Sequence, residues 1–174
     1  MDTDTTTTLP KEVEQESTQP AATQDEPVVI SNESSTSKKK VLVVDDEPDA
    51  RELFGELLST NSNYDVVTAE DGVDALEKCA QNKFDLVLLD IVMPKMDGVD
   101  ALTEIKKNPE KYGTPTVIML TNIGGDIAVE KALSLGAVGF KLKIDTEPEE
   151  LLKTVTDALN NHPIQNSVTN KLFN

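Results

Sequence analysis

Phe84 to Gly98 reads FDLVLLDIVMPKMDG, and this stretch decides the fold. It begins with a short unbroken apolar run, Leu86 to Leu89. A run of that length without polar alternation is typical of a strand covered on both faces, as in a parallel sheet. The run ends at an acid, Asp90, and the chain then turns at Met93-Pro94 and Asp97-Gly98. Because open α/β sheets bind ligands at the carboxyl ends of their strands, Asp90 is a candidate site residue.

Apolar runs and amphipathic segments alternate on both sides of this stretch. The helices are predicted to bury apolar faces: Leu53, Phe54, Leu57 and Leu58 in the first, Val73, Leu76 and Ala80 in the second, Leu102 and Ile105 in the third. This alternation predicts one doubly wound α/β domain with a parallel sheet and right-handed crossovers. The predicted strands are 41–44, 64–69, 84–89, 116–120 and 138–143, and the predicted helices are 50–58, the segment after Gly72, 99–107, 127–135 and 149–159.

The ends of the chain differ in composition from this domain, which is predicted to span 38–160. Residues 1–37 are acidic and rich in Thr and Ser, with too few apolar groups to offset the entropy of ordering, so they are predicted to be disordered. A short partner-binding motif around Val28 is the alternative interpretation of that segment. Residues 161–174 have no clear periodicity and are predicted to be a loose tail.

Composition also limits the classes of function. The chain has 32 acidic and 16 basic residues, a formal net charge of −16. This charge argues against direct nucleic-acid binding, which needs Lys and Arg to displace counterions. A single cysteine, Cys79, excludes an internal disulfide framework. No apolar run is long enough for a membrane span, and the start lacks the features of a signal peptide, so a soluble cytoplasmic protein is expected.

Polar residues follow four of the predicted strands. Asp45 and Asp46 follow the first, Asp90 the third and Thr121 the fourth, while Lys143 ends the fifth. Each alone is a common cap or surface group, but parallel strands bring all of them to one edge. Clustered carboxylates repel one another unless a cation is present. Oxygen ligands near a phosphate suit Mg2+, and a Lys and a hydroxyl would stabilise phosphoryl oxygens.

Four segments of the chain resemble the receiver domain of two-component response regulators, the CheY-like family. The resemblance extends from about Lys39 to Asn160 and implies a flavodoxin-like (βα)5 fold with strand order 2-1-3-4-5. The segments that carry it are Val41–Pro48, Asp90–Gly98, Ile118–Asn122 and Gly136–Lys143.

The resemblance also implies a role for each matching site residue. Asp90 would be the phosphoacceptor, and Thr121 and Phe140 would form the conformational switch. The remaining expected roles are Mg2+ binding by Asp45, Asp46, Asp90 and the backbone carbonyl of Val92, and phosphate binding by Thr121, Asn122 and Lys143.

The function implied is a response regulator phosphorylated by a sensor histidine kinase or a histidine phosphotransfer protein. No second domain is predicted after Asn160, so a stand-alone receiver is expected, with no enzymatic activity beyond Mg2+-dependent self-phosphorylation from a phosphodonor and slow self-dephosphorylation. The single histidine, His162, follows the last helix and is a poor phosphodonor site. Output would occur by protein contact at the surface of the fourth helix, fifth strand and fifth helix (127–135, 138–143 and 149–159). No nucleic-acid or membrane partner is expected.

Alternatives come from other classes. A phosphorelay intermediate and a phosphate-independent flavodoxin-like binding module both stay open. A phosphatase of the haloacid-dehalogenase type would need a second acid two residues after the nucleophile, where this chain has Val92. A nucleotide-binding module would need a Gly-rich loop after the first strand, which is absent from the sequence.

The chain departs from the family pattern at three places. Ile144 stands where the family usually has a proline after the lysine, so the loop into the last helix is expected to change shape. Asn122 stands where a small residue is usual. Val92 and Ile123 are apolar and cannot align an attacking water, which predicts a phosphorylated form that decays slowly.

Overall fold

A computed structural model of the chain describes residues 37–122 and 127–166. Predictions about residues 1–36, about Ile123 and about 167–174 concern parts of the chain outside these described residues.

The described residues form a five-stranded sheet in which every pairing is parallel. Its order is β2-β1-β3-β4-β5, which confirms the predicted fold class and strand order. β3 lies at the centre, and Asp90 at its end pairs in register with Leu120 of β4. The strands are β1 Lys39–Val44, β2 Tyr64–Ala69, β3 Leu86–Asp90, β4 Thr116–Thr121 and β5 Gly139–Leu142.

Within residues 37–122 and 127–166, six helices and one 3-10 turn connect and cover the strands. The sequence did not predict the short helix α4, because Asn108-Pro109 was interpreted only as the end of α3; proline is also well suited to start a helix. None of the described helices combines the length and apolarity needed to cross a membrane. The helices are α1 Pro48–Ser59, α2 Gly72–Gln81, α3 Gly98–Lys107, α4 Pro109–Tyr112, α5 Ile127–Ser134 and α6 Pro148–Leu159, and the 3-10 turn is Lys143–Asp145.

Two apolar clusters lie on the two faces of the sheet, because successive strand side chains point in opposite directions. Val87 and Leu89 of β3 belong to one cluster, together with Leu102 and Ile105 of α3. Leu86 and Leu88 belong to the other, with side chains of α1 and α6. Burial on both faces explains why β3 is a continuous apolar run.

The buried faces of α1 and α2 differ from the prediction. Leu53 is 58% exposed and Val73 is 40% exposed, and Ala80 is also exposed. In α2 the packing of Gly72 against Met96 sets the rotation of the helix, so that Ala75 and Cys79 face the sheet. The apolar residues of each segment span a wide arc, and tertiary packing selects which part of the arc is buried.

The start of the predicted loose tail packs against the domain. The segment 162–166, here called the C-terminal strap, runs beside β5. Ile164 packs on the apolar cluster under α1 and α6, and the Phe140 amide donates a hydrogen bond to Asn166 Oδ1 at 2.9 Å. A Cβ on Gly139 would overlap both Ile164 and Asn166. Glycine at position 139 therefore permits the close approach of the strap.

We expect Ile164→Ser to loosen the strap, because it removes the apolar contact. The free energy of unfolding should fall by about 1 kcal/mol, and amide hydrogen exchange at Phe140 should become faster. Leu53→Ser, on the exposed side of α1, is the control and should change neither quantity. Unchanged protection of the Phe140 amide in Ile164→Ser would show that the strap does not cover this edge.

Candidate functional site

Asp90 is the last residue of β3, and its side chain is buried. The Ile91 amide donates to the Leu120 carbonyl at 3.1 Å, and the Gly98 amide donates to the Ile91 carbonyl at 2.9 Å. A Cβ at Gly98 would overlap the carbonyl oxygen of Asp90. The tight return of the chain at Gly98 therefore requires glycine and fixes the backbone around Asp90.

Two further carboxylates lie beside Asp90, at the end of β1. Asp45 is completely buried, and its Oδ1 accepts the Glu47 amide at 3.0 Å. Asp46 is partly exposed. One carboxylate oxygen from each of Asp45, Asp46 and Asp90 lies within 4.8 Å of the others. Parallel topology has thus brought together the three acids that the sequence predicted.

Lys143 supplies the positive charge at this cluster. Its Nζ lies 2.7 Å from Asp45 Oδ2 and donates to Asp90 Oδ2 at 2.8 Å, and its side chain is only 6% exposed. Lys143 begins the 3-10 turn that leads toward the last helix, and Ile144 in this turn is exposed. The lysine therefore reaches the acids without the proline that usually follows it in the family.

The close approach of these groups changes their pKa values. Burial raises the pKa of the Asp90 carboxyl above its ordinary value, and the hydrogen bond from Lys143 offsets this only in part. Burial alone would lower the pKa of the Lys143 ammonium, but contacts with Asp45 and Asp90 outweigh burial and raise it. Lys143 is therefore charged at neutral pH.

Thr121 and Asn122 lie at the end of β4, the neighbour of β3 on the side away from β1 and its two acids. Both line a pocket of about 280 Å³ with Asp90 and Val92, whose side chain is 66% exposed. Thr121 is buried at the end of β4 and pairs in register with Leu142 of β5. Phe140 lies two residues earlier in β5 and is buried in the apolar cluster beneath α3 and α5. The structure thus places the predicted phosphate-binding residues together and puts the predicted aromatic switch on the adjoining strand.

The chemistry of the cluster fits a divalent metal ion. Asp45 Oδ2 is buried and receives no directed hydrogen bond from any described residue, although the Lys143 ammonium is near. With all three acids ionised, the single ammonium leaves two negative charges uncompensated. Carboxylate oxygens in this number suit Mg2+.

Sequence reasoning missed two residues around the site. Glu47 lines the pocket, and it could have been recognised as the third acid of the run that begins at Asp45. Arg51 of α1 donates to the Asp45 carbonyl at 2.6 Å and so ties the helix to the site. No local motif indicated that contact.

Comparison with known proteins identifies the family. Residues 41–156 match the response regulator receiver domain family. This chain belongs to that family. The chain spans about half the length of curated relatives that are transcriptional regulatory proteins or a response regulator protein.

Individual relatives agree with this assignment. The chain is similar to the transcriptional regulatory protein YhcZ of Bacillus subtilis, with 40% identity over 63% of this chain and 50% of that protein. It is similar to the chemotaxis protein CheY of Halobacterium salinarum, with 37% identity over 66% of this chain and 92% of that protein. The receiver domain of NarL from Mycobacterium tuberculosis has a TM-score of 0.65 and 33% identity, and the match covers 72% of this chain and 99% of that one.

We expect Lys143→Met to destabilise the domain, because two buried carboxylates would lose their shared cation. Loss of one partner from a buried ion pair costs about 3–5 kcal/mol. Thermal unfolding with and without Mg2+ measures the effect, and Mg2+ should restore more stability to this variant than to the wild type.

Lys107→Met is the matched control, because it removes the same charge from an exposed pair with Glu104. It should leave both stability and its Mg2+ dependence unchanged. Equal behaviour of the two variants would contradict the electrostatic description of the cluster.

Proposed function

We propose that Asp90 accepts a phosphoryl group from a phosphohistidine on a sensor histidine kinase or a histidine phosphotransfer protein. The observation that carries the proposal is the buried contact of the Lys143 ammonium with the Asp90 carboxylate at the carboxyl edge of the sheet. A lysine held there by two acids is in place to meet the oxygens of a group attached to Asp90. Membership in the receiver family supports the same chemistry.

The transfer is a substitution at phosphorus. A carboxylate oxygen of Asp90 attacks the phosphorus atom, an O–P bond forms and the P–N bond to the donor imidazole breaks. The imidazole leaves with the electron pair of the broken bond and takes a proton from solvent. The product is an acyl phosphate on Asp90.

The surrounding side chains would hold the phosphoryl group after transfer. Lys143 would pair with a phosphoryl oxygen, and the hydroxyl of Thr121 and the amide of Asn122 would donate hydrogen bonds to the others. Asp46, Asp90 and the Val92 carbonyl would hold Mg2+ directly, and Asp45 would act mainly through water. Bound Mg2+ would supply positive charge to the transferring phosphoryl oxygens.

The charge of a phosphoryl group on Asp90 would change the protein surface near β5. The phosphoryl group carries about −1.5 to −2 charges in place of the single charge of the Asp90 carboxylate, and Thr121 would move toward it. Because Thr121 pairs with Leu142 in the sheet, its movement would be felt along β5, where Phe140 is packed. We propose that the surface formed by α5, β5 and α6 contacts the downstream protein. Helices α5 and α6 correspond to the fourth and fifth helices that the sequence predicted. Ile127 and Val138 are exposed apolar residues at this surface.

The mode of action beyond the receiver is part of the proposal. We propose that the domain acts as a single receiver in the cytoplasm, without direct nucleic-acid or membrane binding and without further enzymatic activity. CheY of Halobacterium salinarum, matched over 92% of its length, supports this mode. The transcriptional regulatory proteins, matched over about half of theirs, favour attachment to an output module. Passage of the phosphate along a relay is the alternative use of the same site.

Intact mass after incubation with acetyl phosphate tests the phosphoacceptor. We expect the wild type to gain one phosphoryl group only when Mg2+ is present, and Asp90→Asn to gain none. Asp100→Asn is the matched control, because Asp100 is an exposed acid in the first turn of α3, and it should be modified like the wild type. No gain in the wild type, under conditions that modify another receiver, would favour a phosphate-independent binding module.

The lifetime of the phosphorylated form tests the role of Val92. Its apolar side chain lines the pocket and cannot orient an attacking water. We therefore expect slow loss of phosphate from the wild type and faster loss from Val92→Asn. Intact mass, measured over time after removal of the donor, reports the loss. A lifetime of seconds that Val92→Asn leaves unchanged would refute this explanation.

A further inference from the structure

The loop 91–97 connects Asp90 to α3 and carries the Val92 carbonyl. Hydrogen bonds from the Ile91 amide to Leu120 and from the Gly98 amide to Ile91 hold its two ends beside β3. Between them Val92 and Pro94 are exposed, whereas the Met93 side chain is buried in the apolar cluster and Met96 packs against it. Besides this packing, the position of the Val92 carbonyl depends on the contacts that residues 95 and 96 make with the rest of the domain.

Two further contacts join residues 95 and 96 to the turn before α2. Lys95 Nζ lies 2.5 Å from Asp71 Oδ2 and 3.2 Å from Glu70 Oε1. The Gly72 amide donates to the Met96 carbonyl at 3.2 Å, and a Cβ on Gly72 would overlap Met96. The Lys95 contact is made by a charged side chain, whereas the Met96 contact is made by the backbone.

Asp71 is a rigid anchor for that ammonium. Its carboxylate is buried, and its Oδ1 caps α2 by accepting the Asp74 amide at 2.9 Å. Oδ2 is left to receive Lys95. The hydrogen bond from Lys95 is the main reason why the pKa of Asp71 lies below its ordinary value. A buried carboxylate with a single ammonium partner holds that partner in one place, although Lys95 itself is 60% exposed.

The backbone of Lys95 is also unusual. Its φ is 63°, in the left-handed region that glycine adopts freely and other residues adopt rarely. The loop thus retains a lysine where glycine would fit without strain. The ion pair with Asp71 is what the side chain adds at this position.

We propose that Lys95 is a positioning residue for the Mg2+ site: through its ion pair with Asp71 it fixes the loop that presents the Val92 carbonyl. This inference rests on the metal-binding part of the proposed function. Lys95 would not touch the metal ion or the phosphoryl group. Its effect would pass through three residues of backbone from Lys95 to Val92.

The sign of the effect separates this role from simple electrostatics. Removal of a positive charge from a protein of net charge −16 would leave Mg2+ affinity unchanged or raise it slightly. Loss of a positioning contact would lower the affinity, because residues that orient metal ligands typically change it by about 10-fold or more. The two explanations therefore predict opposite changes.

The experiment is a titration of the full chain with Mg2+ alone, in which the amide chemical shifts of the pocket residues report binding. We expect Lys95→Met and Lys95→Gly to bind Mg2+ about 10-fold more weakly than the wild type, and Lys95→Arg to restore binding. Lys107→Met is the matched charge control and should bind like the wild type. Asp71→Asn should weaken binding as well, and the double variant Lys95→Met/Asp71→Asn should be no weaker than Lys95→Met.

Other outcomes would overturn the inference. Wild-type affinity in Lys95→Gly would show that the left-handed turn alone places the loop, and tighter binding by Lys95→Met would leave only an electrostatic effect. If the wild type bound no Mg2+ at tens of millimolar, the proposed metal site and this inference would both be wrong. If Mg2+ bound as expected but acetyl phosphate did not modify Asp90, the phosphoacceptor proposal would fail while the role of Lys95 stood.

Discussion

The structure depends on one buried ion cluster, the Lys143 ammonium between the carboxylates of Asp45 and Asp90. Burial of an isolated charge is costly, so a cation between these two buried carboxylates lowers the free-energy cost of placing them at the strand ends. Lys143 directly follows β5, so the cluster exists only when β1, β3 and β5 lie in their observed order. The strand order that defines the fold is therefore also the order that the ion cluster requires. The cost of burying these groups is offset by their mutual attraction, and the sheet is what holds them close enough.

The net charge of the same cluster would change twice, first when a divalent cation binds and again when Asp90 receives a phosphoryl group. Three ionised acids and one ammonium leave a deficit that a divalent cation would balance, and a phosphoryl group on Asp90 would again leave an excess of negative charge. Lys143 and Thr121 are the groups able to respond: Lys143 directly follows β5, and Thr121 is the last residue of the neighbouring strand β4. Phe140 connects them to the surface, since its side chain is buried beneath α5 and its amide contacts the C-terminal strap. A local change of charge at the site would therefore reach the proposed protein-binding surface through a short stretch of β5.

Much of the fold and of the candidate site could be predicted from the sequence. Apolar runs such as Leu86–Leu89 reveal buried strands, and parallel topology then brings their polar ends together whatever their separation along the chain. Helix rotation could not be predicted, because Leu53 and Phe54 are both apolar and only packing decides between them. The strap was missed because a short segment beside an edge strand needs no periodicity. The ion pair of Lys95 with Asp71 was missed because it joins two turns and neither turn carries a motif that indicates the other.

The decisive experiment is a crystal structure with Mg2+ and beryllofluoride, an analogue of the phosphoryl group. We expect beryllofluoride on Asp90, Mg2+ among Asp46, Asp90 and the Val92 carbonyl, and the Lys143 ammonium shifted from Asp45 toward a fluorine atom. Beryllofluoride on another carboxylate, or a Lys143 ammonium that stayed between Asp45 and Asp90 with the analogue bound, would contradict it.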